Sequence, residues 1–232
     1  MGEHAQKRLI RKLDIELFLS KIKPQPSPNV KLEQYTTSET VAATMLYLAA
    51  YNYGDIEGKS VLDLGCGTGR LALTAAFMGT KSAVGIDIDK SAVKVAIENS
   101  QATDLEGKVD WVIGDIDAVT GKFDTVLQNP PFGVQKHSAD RRFIEKALQL
   151  GSTIFSLHNH PYGDKQLSSR LKAANARLLQ VDASPFLQRL IERNGGRIEA
   201  VYALPFVIPR MFDFHTRARH EVVIDLYVIK KQ

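Results

Sequence analysis

The chain has 232 residues, 44% of them hydrophobic and 24% charged, enough apolar content for one large α/β domain with a full core. Its net charge of +4 is a mild excess that favours an anionic partner without specifying one. No run of about 18 apolar residues is present, so no membrane-spanning helix is expected. A single cysteine, Cys66, excludes an internal disulfide and fits the reducing cytoplasm.

Residues 5–23 place Leu9, Leu13 and Leu17 at i, i+4 spacing and predict an amphipathic helix. The stretch PQPSPN at 24–29 breaks it and reads as a linker. Ser38 is a candidate N-cap for a helix over roughly 39–53. Strands and helices then alternate. SVLDLG, SAVGIDI, VDWVIGD, FDTVLQ, STIFSLHN, RIEAVYALPF and EVVIDLYVI read as strands. GRLALTAAFMG, SAVKVAIENSQA and RRFIEKALQLG read as helices between them. Residues 164–194 are expected to be mostly helical, interrupted at Pro185. The pattern predicts a doubly wound α/β fold with a mostly parallel seven-stranded sheet, antiparallel at one edge. Residues 1–29 form an N-terminal helical extension and linker, and 30–232 form the main domain.

VLDLGCGTGRL sets Gly65, Gly67 and Gly69 after a strand and before a helix. Glycines there permit a tight turn and close approach of a ligand to the backbone. The spacing is neither G-x-G-x-x-G nor a P-loop. Asp63, two positions earlier, would repel a phosphate and suits a cationic ligand end. Asp87 closes the second strand, where a carboxylate can hold ribose hydroxyls. Asp115 closes the third, where it can accept from an adenine amino group. A glycine turn flanked by three acidic strand ends describes an adenosine ligand without phosphate, and S-adenosylmethionine is such a ligand. Asp89 and Asp117 compete with Asp87 and Asp115 but lie farther from the strand ends. Cys66 is read as small rather than nucleophilic.

The fourth strand runs into Asn129-Pro130-Pro131-Phe132. Two adjacent prolines end a strand. They also stiffen a turn at the carboxyl edge, where open parallel sheets place their chemistry. The Asn129 side-chain oxygen and the Pro130 carbonyl can hold both hydrogens of a planar amine. Phe132 can stack on the ring that bears it.

In this order, DLGCGTG, GIDID and NPPF resemble the class I, Rossmann-like methyltransferases that act on amino groups. LEQYTT before the first helix of the main domain, SLHN in the fifth strand and Phe214-His215 narrow the resemblance. Together they are similar to methyltransferase-like five, the family of rRNA adenine-N6 methyltransferases. The resemblance implies that Gln34 and Thr37 close over the cofactor and that Gly65, Thr68 and Arg70 line its methionine end. It implies that Asp87 with Ile88 holds the ribose and that Asp115 with Ile116 holds the adenine. The methyl-transfer site would be Asn129 to Phe132. It further implies a substrate of structured RNA, with small-subunit rRNA as the expected class, and a small zinc-containing activator protein on the sheet edge. NPPF is shared with guanine-N2 and protein glutamine-N5 methylases, and a catalytically silent RNA-binding or assembly protein is the non-enzymatic alternative.

An exocyclic amine inside a duplex is unreachable, so the target must be single-stranded or flipped out. Lys136, Arg141 and Arg142, just after Phe132, are candidates to track the RNA backbone. Arg210, Phe214, His215, Arg217 and Arg219 interleave basic and aromatic side chains, as single-strand binding requires. His158 and His160 lack a carboxylate or cysteine nearby in sequence to complete a metal set, so no metal is expected there.

Overall fold

The computed structural model describes residues 9–29, 36–131, 139–161, 178–209 and 219–232, with 167, 169 and 171 between them. Among these, eight strands form one sheet in the order β3-β2-β1-β4-β5-β8-β7-β6. They are β1 (Ser60–Leu64), β2 (Ser82–Asp87), β3 (Val109–Ile113), β4 (Phe123–Gln128), β5 (Gly151–Asn159), β6 (Leu179–Gln180), β7 (Gly196–Pro209) and β8 (Arg219–Lys231). The first five pair parallel. β8 joins β5 antiparallel, and β7 and β6 follow antiparallel beyond it. The expected doubly wound sheet is therefore present with one strand more than the seven anticipated. The extra strand, β6, is two residues long and carries no periodicity to betray it.

The helices are α1 (Lys12–Leu19), α2 (Glu39–Tyr47), α3 (Arg70–Phe77), α4 (Lys90–Ala102), α5 (Ala139–Leu150) and α6 (Pro185–Arg193). α2 runs on as a π-helical turn over Leu48–Asn52 and is capped by Ser38, whose Oγ accepts from Val41 N–H at 3.4 Å. Pro185 opens α6 rather than interrupting a helix. Its fixed φ and missing N–H suit the first helical position, whose donor would be unpaired anyway. No helix among the described residues is long and apolar enough to cross a membrane.

Alternation along the buried strands divides the core into two layers. One face carries Val61, Leu127 and Phe155 under α1, α2 and α3, including Ile15, Leu19, Met45 and Leu73. The other carries Leu62, Leu64, Val126 and Ile154 under α5 and α6, including Ile144, Leu148 and Ile191. α1 is bound into the first layer through Ile15, Phe18, Leu19 and Ile22, and Phe18 stacks on Phe77 at 4.3 Å. The leucines that suggested its amphipathic face, Leu9, Leu13 and Leu17, are the exposed ones. The helix is apolar on two sides, and i, i+4 spacing does not say which side meets the core.

Leu19→Ala is expected to lower the unfolding free energy by about 2–5 kcal/mol, the usual cost of emptying a buried leucine site. Urea denaturation measures this, and an unchanged midpoint would show that α1 unfolds separately from the sheet.

Candidate active site

The strand order reverses at β1 and β4, whose following segments leave on opposite faces of the sheet. That is where open α/β sheets carry a crevice at their carboxyl edge. The glycine turn leaves β1 on one side of it and Asn129-Pro130-Pro131 leaves β4 on the other.

Gly65, Gly67 and Gly69 have φ of +78°, +52° and +83°, a region that side chains rarely adopt. Space also forbids a side chain at the third. A Cβ on Gly69 would lie 2.5 Å from the Trp111 ring. Gly69 is the N-cap of α3 and has no side chain to cap with. Asp63 replaces it from the preceding strand, accepting from Ala72 N–H at 2.9 Å while only 1% exposed. Asp63 thus underpins the turn from inside. Burial pushes its carboxyl up to about 7, the Ala72 N–H opposing and the charge of Asp87 adding.

Asp87 reaches the same turn from β2. One of its oxygens accepts from Gly67 N–H and the other from Asp89 N–H, both at 2.8 Å. Burial raises its carboxyl, and these N–H groups oppose the shift. Asp89 instead caps α4, accepting from Ser91 N–H. Ile88 is 56% exposed beside Asp87, and Ile113 at the end of β3 is 52% exposed. Cys66 is buried and burial raises its thiol, so it stays protonated.

Thr68 and Arg70 are both buried. The Thr68 carbonyl accepts from Asn99 Nδ2 at 3.0 Å, and Asn99 also grips the backbone of Lys23 on both sides. The Arg70 guanidinium donates to the carbonyls of Thr37 and Ile22 and to Glu39. Thr37 in turn accepts from Asn129 Nδ2 through its hydroxyl at 2.9 Å. With the amide nitrogen engaged there, the orientation of the amide oxygen of Asn129 is set.

Asp115 closes the turn after β3, accepting from Asp117 N–H at 2.9 Å. It is also paired with both ends of the Arg142 guanidinium, which bonds Asp117 as well. The Asp117 N–H and Arg142 hold the Asp115 carboxyl below its usual range. Ile116 is buried in the second core layer. Arg141 pairs with Glu145 one turn along α5 at 2.9 Å. Gln34, Phe132, Lys136, Arg210, Phe214, His215 and Arg217 lie outside the described residues, as does the side chain of Arg219.

A polar column stands next to the crevice. Gln128 Nε2 donates to Ser156 Oγ, which lies 2.7 Å from His158 Nε2. Burial depresses the His158 ring to about 3, so it stays neutral within this column.

The methyltransferase small-domain model matches residues 36–163. The chain belongs to this family of S-adenosylmethionine-dependent methyltransferases. It is 32% identical to the rRNA N(6)-adenosine-methyltransferase Mettl5 of Drosophila melanogaster, over 94% of each chain. A candidate RNA methyltransferase of Pyrococcus horikoshii superposes with a TM-score of 0.79 at 33% identity, covering 97% of this chain and 99% of that one. The fold is shared with magnesium protoporphyrin IX methyltransferase of Synechocystis, solved with its cofactor bound, at 18% identity, TM-score 0.54, and 88% and 81% coverage.

The residues of this methyltransferase suit that cofactor. The glycine turn offers backbone with no side chain in the way, Asp87 and Asp115 stand at successive strand ends, and the exposed Ile88 and Ile113 offer an apolar surface between them. What sequence reading missed is the support. Asn99, the Thr37–Asn129 bond and the Arg142–Asp115 pair join residues 27 to 92 positions apart. Asn99 carried one signal, a carboxamide among small and apolar residues of α4.

Gly69→Ala is expected to weaken S-adenosylhomocysteine binding at least about tenfold and to destabilise the fold by about 1–3 kcal/mol, through strain and the clash with Trp111. Calorimetry and urea titration read the two effects, and wild-type affinity would show that the turn does not shape the cofactor site. Asp63 generates a pH dependence. Its raised carboxyl means that the folded chain keeps a proton that the unfolded chain loses near pH 4. Ionisation therefore opposes folding, and this contribution to stability falls as pH rises from about 4 to about 7. Asp63→Asn keeps an acceptor for Ala72 and removes the titration, so its stability relative to wild type should rise between about pH 5 and about pH 8. The same difference at both pH values would place the titration elsewhere.

Proposed function

We propose that this methyltransferase transfers a methyl group to N6 of an adenine in RNA, with small-subunit rRNA as the substrate class and the cytoplasm as the place of action. The observation that carries the reading is Asn129, set across the β1/β4 crevice from the glycine turn with its amide nitrogen held by Thr37. Similarity to Mettl5 over nearly the whole chain supports adenine as the base and rRNA as the substrate.

The exocyclic amine of adenine is conjugated to its ring and weakly nucleophilic. In this reading the Asn129 oxygen and the Pro130 carbonyl accept its two hydrogens and turn the nitrogen lone pair toward the crevice. The prolines fix the second acceptor relative to the first, and Phe132 stacks on the base. The cofactor, when bound, supplies a methyl group on a sulfonium carbon. Asp87 would hold its ribose, Asp115 and the Ile116 backbone its adenine, and the glycine turn with Thr68 and Arg70 its methionine end, with Gln34 and Thr37 closing over it. Catalysis is then chiefly alignment of the two partners. The methylated nitrogen is more acidic than a free ammonium and releases its proton without a strong base.

Residues 1–29 serve in this reading as a brace for the domain at 30–232. Lys23 and Ile22 are tied through Asn99 and Arg70 to the same loops that carry Thr68 and Thr37. β3 is an edge strand, and Val112 and Ile113 are exposed on it. The small zinc-containing activator would add a strand to that edge. Lys136, Arg141, Arg142, Arg210, Arg217 and Arg219, with Phe214 and His215, would hold the RNA.

Incubation of the full chain with rRNA and S-adenosylmethionine, with and without the activator, is expected to yield N6-methyladenosine by nucleoside mass spectrometry. N2-methylguanosine or methylglutamine as the product would overturn the assignment. Asn129→Ala should bind S-adenosylhomocysteine within about threefold of wild type yet lose about 100-fold or more in methyl transfer. Full activity in that variant would reject the two-acceptor geometry.

A further inference from the structure

Arg70 is the first residue of α3, directly after the glycine turn, and its side chain is only 9% exposed. Among the described residues it is the one lysine or arginine that is buried. Both facts are unfavourable taken alone. A cation opposes the helix dipole at an N-terminus, and a charge withdrawn from water is costly unless acceptors surround it. The ion pair with Glu39 does not account for the burial, because the Glu39 side chain is 46% exposed and a half-solvated pair adds little.

The other donors of the guanidinium show what it holds. Nη1 bonds the Thr37 carbonyl at 3.1 Å, and Nη2 bonds the Ile22 carbonyl at 3.3 Å. A planar fork can span two carbonyls at once, which a point charge cannot. One side chain thus clasps the segment that leaves α1 and the residue that precedes the Ser38 cap of α2. Its Nε is buried without an acceptor among the described residues, so a cofactor carboxylate bound there is the competing role.

Thr37 carries the effect onward. It is 6% exposed, and its hydroxyl accepts from Asn129 Nδ2 at 2.9 Å. One side-chain torsion moves that oxygen, and branching at Cβ restricts it. The hydroxyl therefore stands where the Thr37 backbone puts it, and Arg70 holds that backbone by its carbonyl. The carboxamide of Asn129 is planar, so fixing its nitrogen leaves its oxygen little choice of place. Thr37 is 33 positions from Arg70 and 92 from Asn129, and two bonds link the three in series.

We propose that Arg70 is a positioning residue for methyl transfer: its side chain holds Thr37, Thr37 holds the amide nitrogen of Asn129, and the Asn129 oxygen is thereby presented to the substrate amine. In this role the cofactor meets Arg70 through its backbone. The proposal rests on the reading of Asn129 as the group that grips the amine.

The test is a double-mutant cycle in the full chain. Once the modified adenine is mapped, kcat and KM are measured on an RNA fragment spanning it. Rates are expressed per S-adenosylhomocysteine-binding site counted by calorimetry, so unfolded protein cancels. Thr37→Val removes the hydroxyl and should lower kcat about tenfold. Thr37→Ser restores it and should recover most of that loss. Arg70→Met should lower kcat about tenfold in the wild-type background and less than about twofold in the Thr37→Val background. In the Arg70 variants, S-adenosylhomocysteine affinity and KM for RNA should stay within about threefold of wild type. Arg70→Lys, which keeps the charge beside Glu39 but lacks the fork, completes the same cycle where Arg70→Met does not fold. The side-chain amide resonances of Asn129, identified by their loss in Asn129→Ala, give a reading without activity. They should shift in Arg70→Lys as they do in Thr37→Val. Losses that multiply independently, unmoved Asn129 resonances, or a fall in S-adenosylhomocysteine affinity that matches the fall in rate would overturn the proposal. Absence of RNA methylation by wild type would refute the underlying reading of Asn129 and the proposal with it, and shifted resonances would then show that the coupling itself stands.

Discussion

Everything at the carboxyl edge depends on the parting of β1 and β4. Both strands are buried on both faces and lie side by side in register, Val61 to Asp63 against Thr125 to Leu127. Their exits go opposite ways, one into a glycine turn and α3, the other into paired prolines. The first exit carries glycine at alternate positions and buries its Cys66 and Thr68, and the second is stiffened by its prolines. A crevice between two backbones is the result, with Asn129 directly after β4 at its wall. The methyl transfer proposed there would need no strong acid or base, only acceptors held still.

Holding them still is the task of buried polar groups rather than of apolar packing. Asp63 caps α3 from beneath, Asp87 ties β2 to the turn, and Asn99 and Arg70 tie the turn and Thr37 to the N-terminal segment. Each of these side chains is largely withdrawn from water, so each bond is costly to break without replacement. The site is thus rigid where the cofactor would meet backbone. The exposed pair of Asp115 with Arg142 is different, since solvent screens it and a competing ligand can displace the arginine at little cost.

Sheet topology also separates two groups of polar residues. The glycine turn and Asp87, proposed to hold the cofactor, follow β1 and end β2, while β5 and β8 carry the His158 column and the His160–Asp225 pair. Asn129 sits between the two territories. The antiparallel β7–β8 pair extends past the end of β5, from Ile224 to Arg219 on β8.

Period and punctuation made most of the fold legible in the chain itself. Apolar strands between amphipathic helices, the DLGCGTG turn and the NPP stop are local signals, because backbone sterics dictate them within a few residues. Local rules also misled where two answers satisfy them equally. The leucine stripe of α1 is as regular as its buried face, and Pro185 fits a helix start as well as a break. Asp225 lies inside the apolar part of EVVIDLYVI, and nothing in that stretch points to its partner 65 residues away. The pairings that define the site, Asn129 with Thr37, Asn99 with Lys23 and Thr68, Arg142 with Asp115, exist only once strand order brings distant segments together. A hydrogen bond requires about 3 Å and a direction, and nothing in residue order alone specifies either.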